Sequence, residues 1–404
     1  MSTPFSRRPS LRWSIAALLG VAALAVSSSS CTSLGQRPAG ERLARAQQSP
    51  QWRDGQFRNL QPQWTDNASA LRQAFDSTPG DTPAAGAVPV QRGDGAALAV
   101  PPASGLRVTW FGHSSTLLEI DGIRILTDPI WSDRASPVSW IGPARWYPPP
   151  IALTQLPPID VVVVSHDHYD HLDYATIMAM KDSPTRFVVP LGLGAHLAAW
   201  GIPAERVVEL DWWQSTRIGA VELVATPARH ATGRLRPDAD LALWSGFAFI
   251  GPAHRAYYSG DTGLLPAMHQ IGARLGPFDV TLIEAGQYDA AWPDWHLGPE
   301  QAVLAHRMVR GKVMLPVHWG LFKLAHHGWT EPAERVLAAA ACQGVKVLIP
   351  KPGQSVEPDT QAALAPWWPT LPWRSAEQRP VIATVNGRAD ARVPSAACPL
   401  QAVQ

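Results

Sequence analysis

Val161-Val162-Val163-Val164-Ser165-His166-Asp167-His168-Tyr169-Asp170-His171 is the stretch that decides the fold. Its first half is a continuous β-branched apolar run, Val161–Ser165, the pattern of a strand buried on both faces. Its second half places three imidazoles with carboxylates in six residues, just before a predicted helix at Leu172–Lys181. A lone histidine is more often a satisfied structural residue than a ligand. A cluster this dense reverses those odds, because so many polar groups are unfavourable to bury without a shared partner. Alternating positions of an extended loop point the same way, so His166 and His168 can grip one ion. Asp170 and His171 turn into the helix start and can face a second. Imidazole and carboxylate suit Zn²⁺ with coordination positions left open for water or substrate. None of the three cysteines, Cys31, Cys342 and Cys398, sits in a CxxC pair, so a thiolate site is not indicated.

Outward from this stretch the chain alternates strand and helix patterns. Arg107–Phe111 and Ser115–Ile120 read as a hairpin, with Ile123–Thr127 as a third strand after the turn Asp121-Gly122. Downstream, strands are predicted at Phe187–Pro190, Val207–Leu210, Val221–Thr226, Leu241–Ile250, Ala256–Ser259, Val280–Glu284, Lys312–Leu315 and, last, Lys346–Ile349. Helices are predicted at Ala195–Trp200, Pro266–Ala273, Pro299–Arg310 and Pro332–Gln343. Two strand-rich halves, each with helices, imply an α/β sandwich with sheets inside and helices outside. Three further ligand candidates each follow a predicted strand, where layered α/β folds carry their functional loops. These are His230, Asp261 and His318. Glycines beside Asp261, Gly260 and Gly263, would let backbone approach the ions closely.

Residues 1–30 read as a signal segment. Arg7, Arg8 and Arg12 precede an apolar run, Trp13–Val26, that is shorter than the ~20 residues needed to span a bilayer. Small residues lead to Cys31, so lipoprotein processing at Cys31 is expected, with cleavage without lipidation as the alternative. The arginine pair also resembles a twin-arginine signal, so either export route is open. The mature chain is expected outside the cytoplasmic membrane, tethered to the envelope or periplasmic. Residues 31–104 read as a tether and wrapping segment, with short helical pieces near Arg42–Gln48 and Ala68–Phe75. Residues 105–355 carry the predicted sandwich and all seven ligand candidates and read as one domain, and 356–404 read as a Pro-rich tail. Cys342 and Cys398 could pair in an oxidising compartment. The formal net charge of +1 leaves no electrostatic footprint for nucleic acid.

On these residues the chain resembles the metallo-β-lactamase superfamily. His166, His168, Asp170 and His171 match its HxHxDH motif in order and spacing, and His230, Asp261 and His318 match the later ligands. The resemblance implies a four-layer αβ/βα sandwich and two zinc ions. It gives one ion His166, His168 and His230 and the other Asp170, His171 and His318, with Asp261 bridging. Within the superfamily the chain looks most like the phospholipases D that hydrolyse N-acyl-phosphatidylethanolamines. The likeness rests on phrases such as Trp110-Phe111-Gly112-His113-Ser114-Ser115, Leu126-Thr127-Asp128-Pro129-Ile130 and Val317-His318-Trp319-Gly320. Glu284 stands where the animal enzyme is apolar.

That likeness implies hydrolysis of a phospholipid phosphodiester. Asp170 would orient the nucleophile. His296 is the side-chain candidate to protonate the leaving group, with a water as the alternative and a purely structural role equally open. His113 reads as a structural turn residue. Asp128 and Asp167 are candidates to fix ring tautomers. Trp131, Trp140, Trp146, Trp292, Trp295 and Trp329 are expected to form an apolar mouth for acyl chains. The competing readings are a lactonase or other carboxylic-ester hydrolase on the same metals, and a tethered envelope protein that binds metal or lipid without turnover.

Overall fold

The structure, a computed structural model, describes residues 32–69, 80–234 and 239–394. The expected signal segment, Cys31, Cys398 and most of the Ala68–Phe75 piece lie outside these residues. The chain opens with helix α1 (Gly40–Gln47), a small hairpin of β1 (Trp52–Arg53) and β2 (Gln56–Phe57), and a short α2 (Ala96–Ala99). The first half of the domain comprises β3 (Leu106–Gly112), β4 (Ser115–Ile120), β5 (Ile123–Thr127), β6 (Val161–Val163), α3 (Tyr174–Ala179), β7 (Arg186–Pro190), α4 (Gly194–Ala199) and β8 (Val207–Leu210). The second half comprises β9 (Ser215–Ile218), β10 (Val221–Thr226), β11 (Gly246–Ile250), β12 (Arg255–Tyr258), α5 (Ala267–Leu275), β13 (Phe278–Glu284), α6 (Pro299–Met308), β14 (Gly311–Val317), α7 (Glu331–Gln343) and β15 (Lys346–Val347). A last strand, β16 (Ser355–Val356), returns to the first sheet.

The two sheets run β16-β3-β4-β5-β6-β7-β8 and β15-β14-β13-β12-β11-β10-β9. In each, antiparallel hairpins at one side meet parallel strands at the other. Pairing is parallel from β5 to β8 and from β12 to β15. The valine run explains the layering. Val161 and Val163 face the interior between the sheets with Val108, Phe247, Phe249 and Leu282. Val162 and Val164 face outward onto Leu172, Ile177, Leu197 and Trp200, around α3 and α4. On the other outer face, Ile283 and Met314 pack beneath Met268, Ile271, Val303 and Val336 of α5, α6 and α7. The result is the four-layer αβ/βα sandwich, with both faces of each sheet covered.

Three departures from the sequence reading lie among the strands of the two large sheets. Leu241–Ile250 is strand only from Gly246. The Leu243 amide bonds the Leu191 carbonyl and the Ser245 amide bonds the Ser165 carbonyl, so this segment spends its donors on loops of the opposite sheet. Strand β9 was not foreseen; its four residues pair with β10 in a tight hairpin. Lys346–Ile349 is not the last strand, because β16 pairs with β3 through Ser355 opposite Thr109. Beyond it, the tail carries no long element but is packed. Trp367 and Trp368 contact Trp319, with ring centroids 5.7 and 5.9 Å apart, and Trp319 stacks on Trp110 at 5.3 Å.

Candidate metal centre

Four loops at the strand ends bring all seven predicted ligands together. His166 to His171 follow β6, His230 follows β10, Asp261 follows β12 and His318 follows β14 directly. In the first group, His166 Nε2 lies 2.9 Å from His168 Nδ1, and His230 Nε2 lies 3.3 Å from the same atom. Three imidazole nitrogens facing one another cannot all be satisfied by sharing protons. Their spacing fits the ligand edge of a tetrahedron, about 3.3 Å for zinc–nitrogen bonds of about 2.0–2.1 Å. The second group gathers His113, Asp170, His171 and His318, with ligand atoms within 4.8 Å of one another. Asp261 stands between the two. Its Oδ2 is 3.8 Å from His166 Nε2, 3.8 Å from His230 Nε2 and 3.1 Å from His171 Nε2, and its Oδ1 is 3.1 Å from His318 Nδ1.

The electrostatics call for a cation. Burial, together with the neighbouring imidazoles, drives His166, His230 and His318 well below the ordinary histidine range. Neutral rings are the metal-binding form. Burial pushes Asp261 up to about 7, with His171 opposing and Glu284 reinforcing the rise. Asp170 keeps its charge despite burial, because His171 and the hydrogen bond from His113 outweigh desolvation. His171 Nε2, His318 Nε2 and Asp261 Oδ1 are buried without a hydrogen-bond partner. Unpartnered polar atoms in a dry site are unfavourable, and a pair of divalent ions answers all three. The donor set therefore fits zinc.

The backbone holds the ligands under strain. His318 has φ 65°, His113 φ 52° and Asp128 φ 34°, all in the left-handed region. Each such residue costs about 1–3 kcal/mol and persists only where its surroundings over-determine it. Here His113 and His318 lock each other: the His318 amide donates to the His113 carbonyl, and the His113 amide donates to the Trp319 carbonyl. The glycines beside Asp261 let neighbouring loops close on it. Gly260 fits against Ser165, and Gly263 against the Asp294 carbonyl, where a Cβ would lie 2.0 Å away.

Asp128 orients the centre from below. Its Oδ2 accepts from His171 Nδ1 at 2.6 Å, from Ser165 Oγ at 2.5 Å and from the Tyr258 hydroxyl, and its Oδ1 accepts from the Ser165 amide at 2.7 Å. Asp167 does not contact a ligand ring. It meets His196 Nε2 at 3.2 Å and accepts from the Gly233 amide. His113, read from the sequence as a turn residue, lies 2.9 Å from Asp170 Oδ2 and so holds that carboxylate. Glu284 is a further site residue, and its place at the strand end before a loop was the only sequence signal. It is fully buried, its Oε2 lies 2.8 Å from His296 Nδ1, and its Oε1 accepts from the Thr262 and Leu297 amides. The wrapping segment also reaches the site. Asn59 bonds both the amide and the carbonyl of His230.

The centre opens into a cleft of about 390 Å³ bordered by Thr65, Asn67, Trp292, Trp295, His296 and Leu324. Of the six tryptophans expected at an apolar mouth, only Trp292 and Trp295 line it. Trp131 packs on Phe111 with its indole N–H on the Ile151 carbonyl, Trp146 and Trp329 pack on each other in the core, and Trp140 projects into solvent elsewhere. Those three indoles find more buried area between elements than a mouth would give them.

Residues 123–319 match the beta-lactamase superfamily domain. A protein of Mycobacterium tuberculosis, named as uncharacterized, is 49% identical over 340 residues, covering 80% of this chain and 88% of its own. A Caenorhabditis elegans protein named N-acyl-phosphatidylethanolamine-hydrolyzing phospholipase D 1 is 39% identical over 233 residues, 55% of this chain and 65% of its own. A Pyrobaculum islandicum protein named as a metal-dependent hydrolase is 31% identical over 252 residues, 62% of this chain and 99% of its own.

Proposed function

The chain belongs to the metallo-β-lactamase superfamily and is a metal-dependent hydrolase of that fold, and on that premise we propose that it binds two zinc ions and cleaves the phosphodiester of a phospholipid, N-acylated or plain, in a phospholipase D-like reaction. The observation that carries the reading is the meeting of seven ligands from four loops at the floor of an open cleft walled by Trp292, Trp295 and Leu324. The 39% identity shared with the nematode protein named as a phospholipase D supports a phosphodiester as the bond cleaved. His166, His168 and His230 would hold one ion, Asp170, His171 and His318 the other, and Asp261 both.

When bound, such a pair supplies a water acidic enough to attack at neutral pH and neutralises charge building on the phosphoryl oxygens. The chain does the rest. His113 fixes Asp170, which would orient the attacking water. Glu284 fixes Nδ1 of His296, so that Nε2 is left for the cleft, where it can pass a proton to the departing alkoxide. Trp292 and Trp295 exclude water and give the acyl region an apolar wall. We further propose that lipidation of Cys31 tethers the mature protein to the cell envelope, facing the periplasm.

The test is a substrate panel on the purified, zinc-loaded protein: N-acyl-phosphatidylethanolamine, phosphatidylethanolamine, bis-p-nitrophenyl phosphate, lactones and β-lactams. Release of phosphatidic acid from either lipid is expected. Turnover of lactones with no cleavage of any phosphodiester would assign the centre to carboxylic esters.

A further inference from the structure

Among the described residues the exposed large apolar side chains include one consecutive pair, Trp140 and Ile141, 68% and 56% exposed. Single exposed apolar residues are ordinary, but this pair crowns a loop that is built to present it. An isolated antiparallel bridge joins Arg134 to Ala144 at the loop base. The Ala135 amide donates to the Pro143 carbonyl and the Arg145 amide to the Asp133 carbonyl. The Arg134 guanidinium donates to the Gly142 carbonyl at 2.6 Å. Asp173, two residues past His171, clamps the other end by accepting from the Ser132 hydroxyl at 2.7 Å and the Ser132 amide at 3.1 Å.

The start of the described chain lies on the same loop. Ser33 Oγ donates to the Pro137 carbonyl at 2.7 Å, and the Thr32 carbonyl accepts from the Trp200 indole at 2.7 Å. The Ser33 carbonyl accepts from Arg234 Nη2, and Arg234 Nη1 donates to the Asp167 carbonyl within the metal motif and to the Leu172 carbonyl just after it. Cys31 is two residues before Ser33, a span of at most about 7 Å. A lipid carried by Cys31 would therefore enter the chain beside the loop that presents the exposed pair.

We propose that the 136–143 loop is a membrane-docking element whose Trp140 and Ile141 enter the headgroup and upper acyl region of a phospholipid bilayer. Tryptophan is the residue of that interface, with an apolar body and a polar N–H. A lipid anchor at one end of the chain holds the protein near the bilayer but leaves open which face it turns to the lipid. The loop supplies a second contact beside the tether and fixes the face, and so the metal loops, relative to the lipid. The inference rests on reading Cys31 as a lipid tether.

The test uses the full chain on vesicles of phosphatidylethanolamine and phosphatidylcholine, with amide exchange and quenching of tryptophan by brominated acyl chains. Slowed exchange across 138–142 on vesicles is expected, together with loss of the vesicle-dependent quenching in Trp140→Phe. Trp140→Ser with Ile141→Ser should lose the protection but keep wild-type zinc content and bis-p-nitrophenyl phosphate turnover, which shows that it folds. Unchanged exchange on vesicles, or quenching equal in Trp140→Phe and wild type, would overturn the proposal. So would protection that grows with protein concentration in the absence of lipid, because it would assign the pair to a second copy. Mass spectrometry of Cys31 reads the tether separately, and no arm depends on lipid turnover.

Discussion

Replacing Asp128 by Asn tests the claim that one buried carboxylate sets the second half of the metal centre. Asp128 is fully buried and makes four hydrogen bonds, three of them to Oδ2. The amide can keep its oxygen toward His171, Ser165 Oγ and Tyr258, but its NH₂ then faces the Ser165 amide. A donor facing a donor in a dry interior costs about 1–3 kcal/mol. The other orientation spares Ser165 but puts a donor against His171 Nδ1, which forces that ring to carry its proton on Nε2, the atom facing Asp261 and Asp170. Either way the neutral amide is a weaker acceptor than the carboxylate, and loss of such an outer partner lowers metal affinity by about 10–100-fold. That factor corresponds to about 1.4–2.8 kcal/mol. The assay is zinc content and chelator competition, with the melting temperature of the metal-free protein measured alongside. If the centre holds two zinc ions as proposed, one should be lost well before the other, because His168 and His230 do not touch Asp128. Zinc affinity within about twofold of wild type at both sites, in a protein that melts as wild type, would refute the reasoning.

Glu284→Gln should fold and keep its zinc, since the amide oxygen can still accept from Thr262 and Leu297. Its kcat on a phosphodiester should fall by about 10–100-fold, because His296 loses the carboxylate that fixes Nδ1. His306 is buried against Thr281, and burial, with Arg307 beside it, lowers it from 6.5 to about 4. The unfolded chain then binds this proton first as pH falls, so stability is full above 6.5 and is lost between 6.5 and about 4, by up to roughly 3 kcal/mol. Urea titrations across that range should show the slope, and His306→Asn, which can keep the Thr281 contact, should flatten it. Trp368→Ala should destabilise the protein by about 3–5 kcal/mol. Its indole is buried on Trp319 and donates to Glu334, so denaturant melts will show whether the tail belongs to the domain core.

The expected mouth differs from the structure for one reason. Indoles bury wherever two elements close on them, and sequence does not say which elements meet. Trp131 and Trp329 look alike along the chain to Trp292 and Trp295, yet only the latter two reach the cleft. Glu284 was visible as an acid at the end of an apolar strand, but its partner lies twelve residues on, and only the return of the chain sets His296 against it. His113 carried no signal beyond a glycine neighbour, because its partner Asp170 lies on another loop.

The sequence by itself determined the layers and the ligand types. A valine run must lie between two apolar surfaces, alternating strand and helix periods leave few ways to cover it, and histidine and aspartate packed into one loop demand a cation. Only the tertiary structure decided which distant side chains serve that loop. Asp128, Glu284 and His113 act through contacts of 2.6–2.9 Å to residues 12 to 57 positions away in the chain. Hydrogen bonds of that length are fixed by how strands stack and loops turn, not by local pattern.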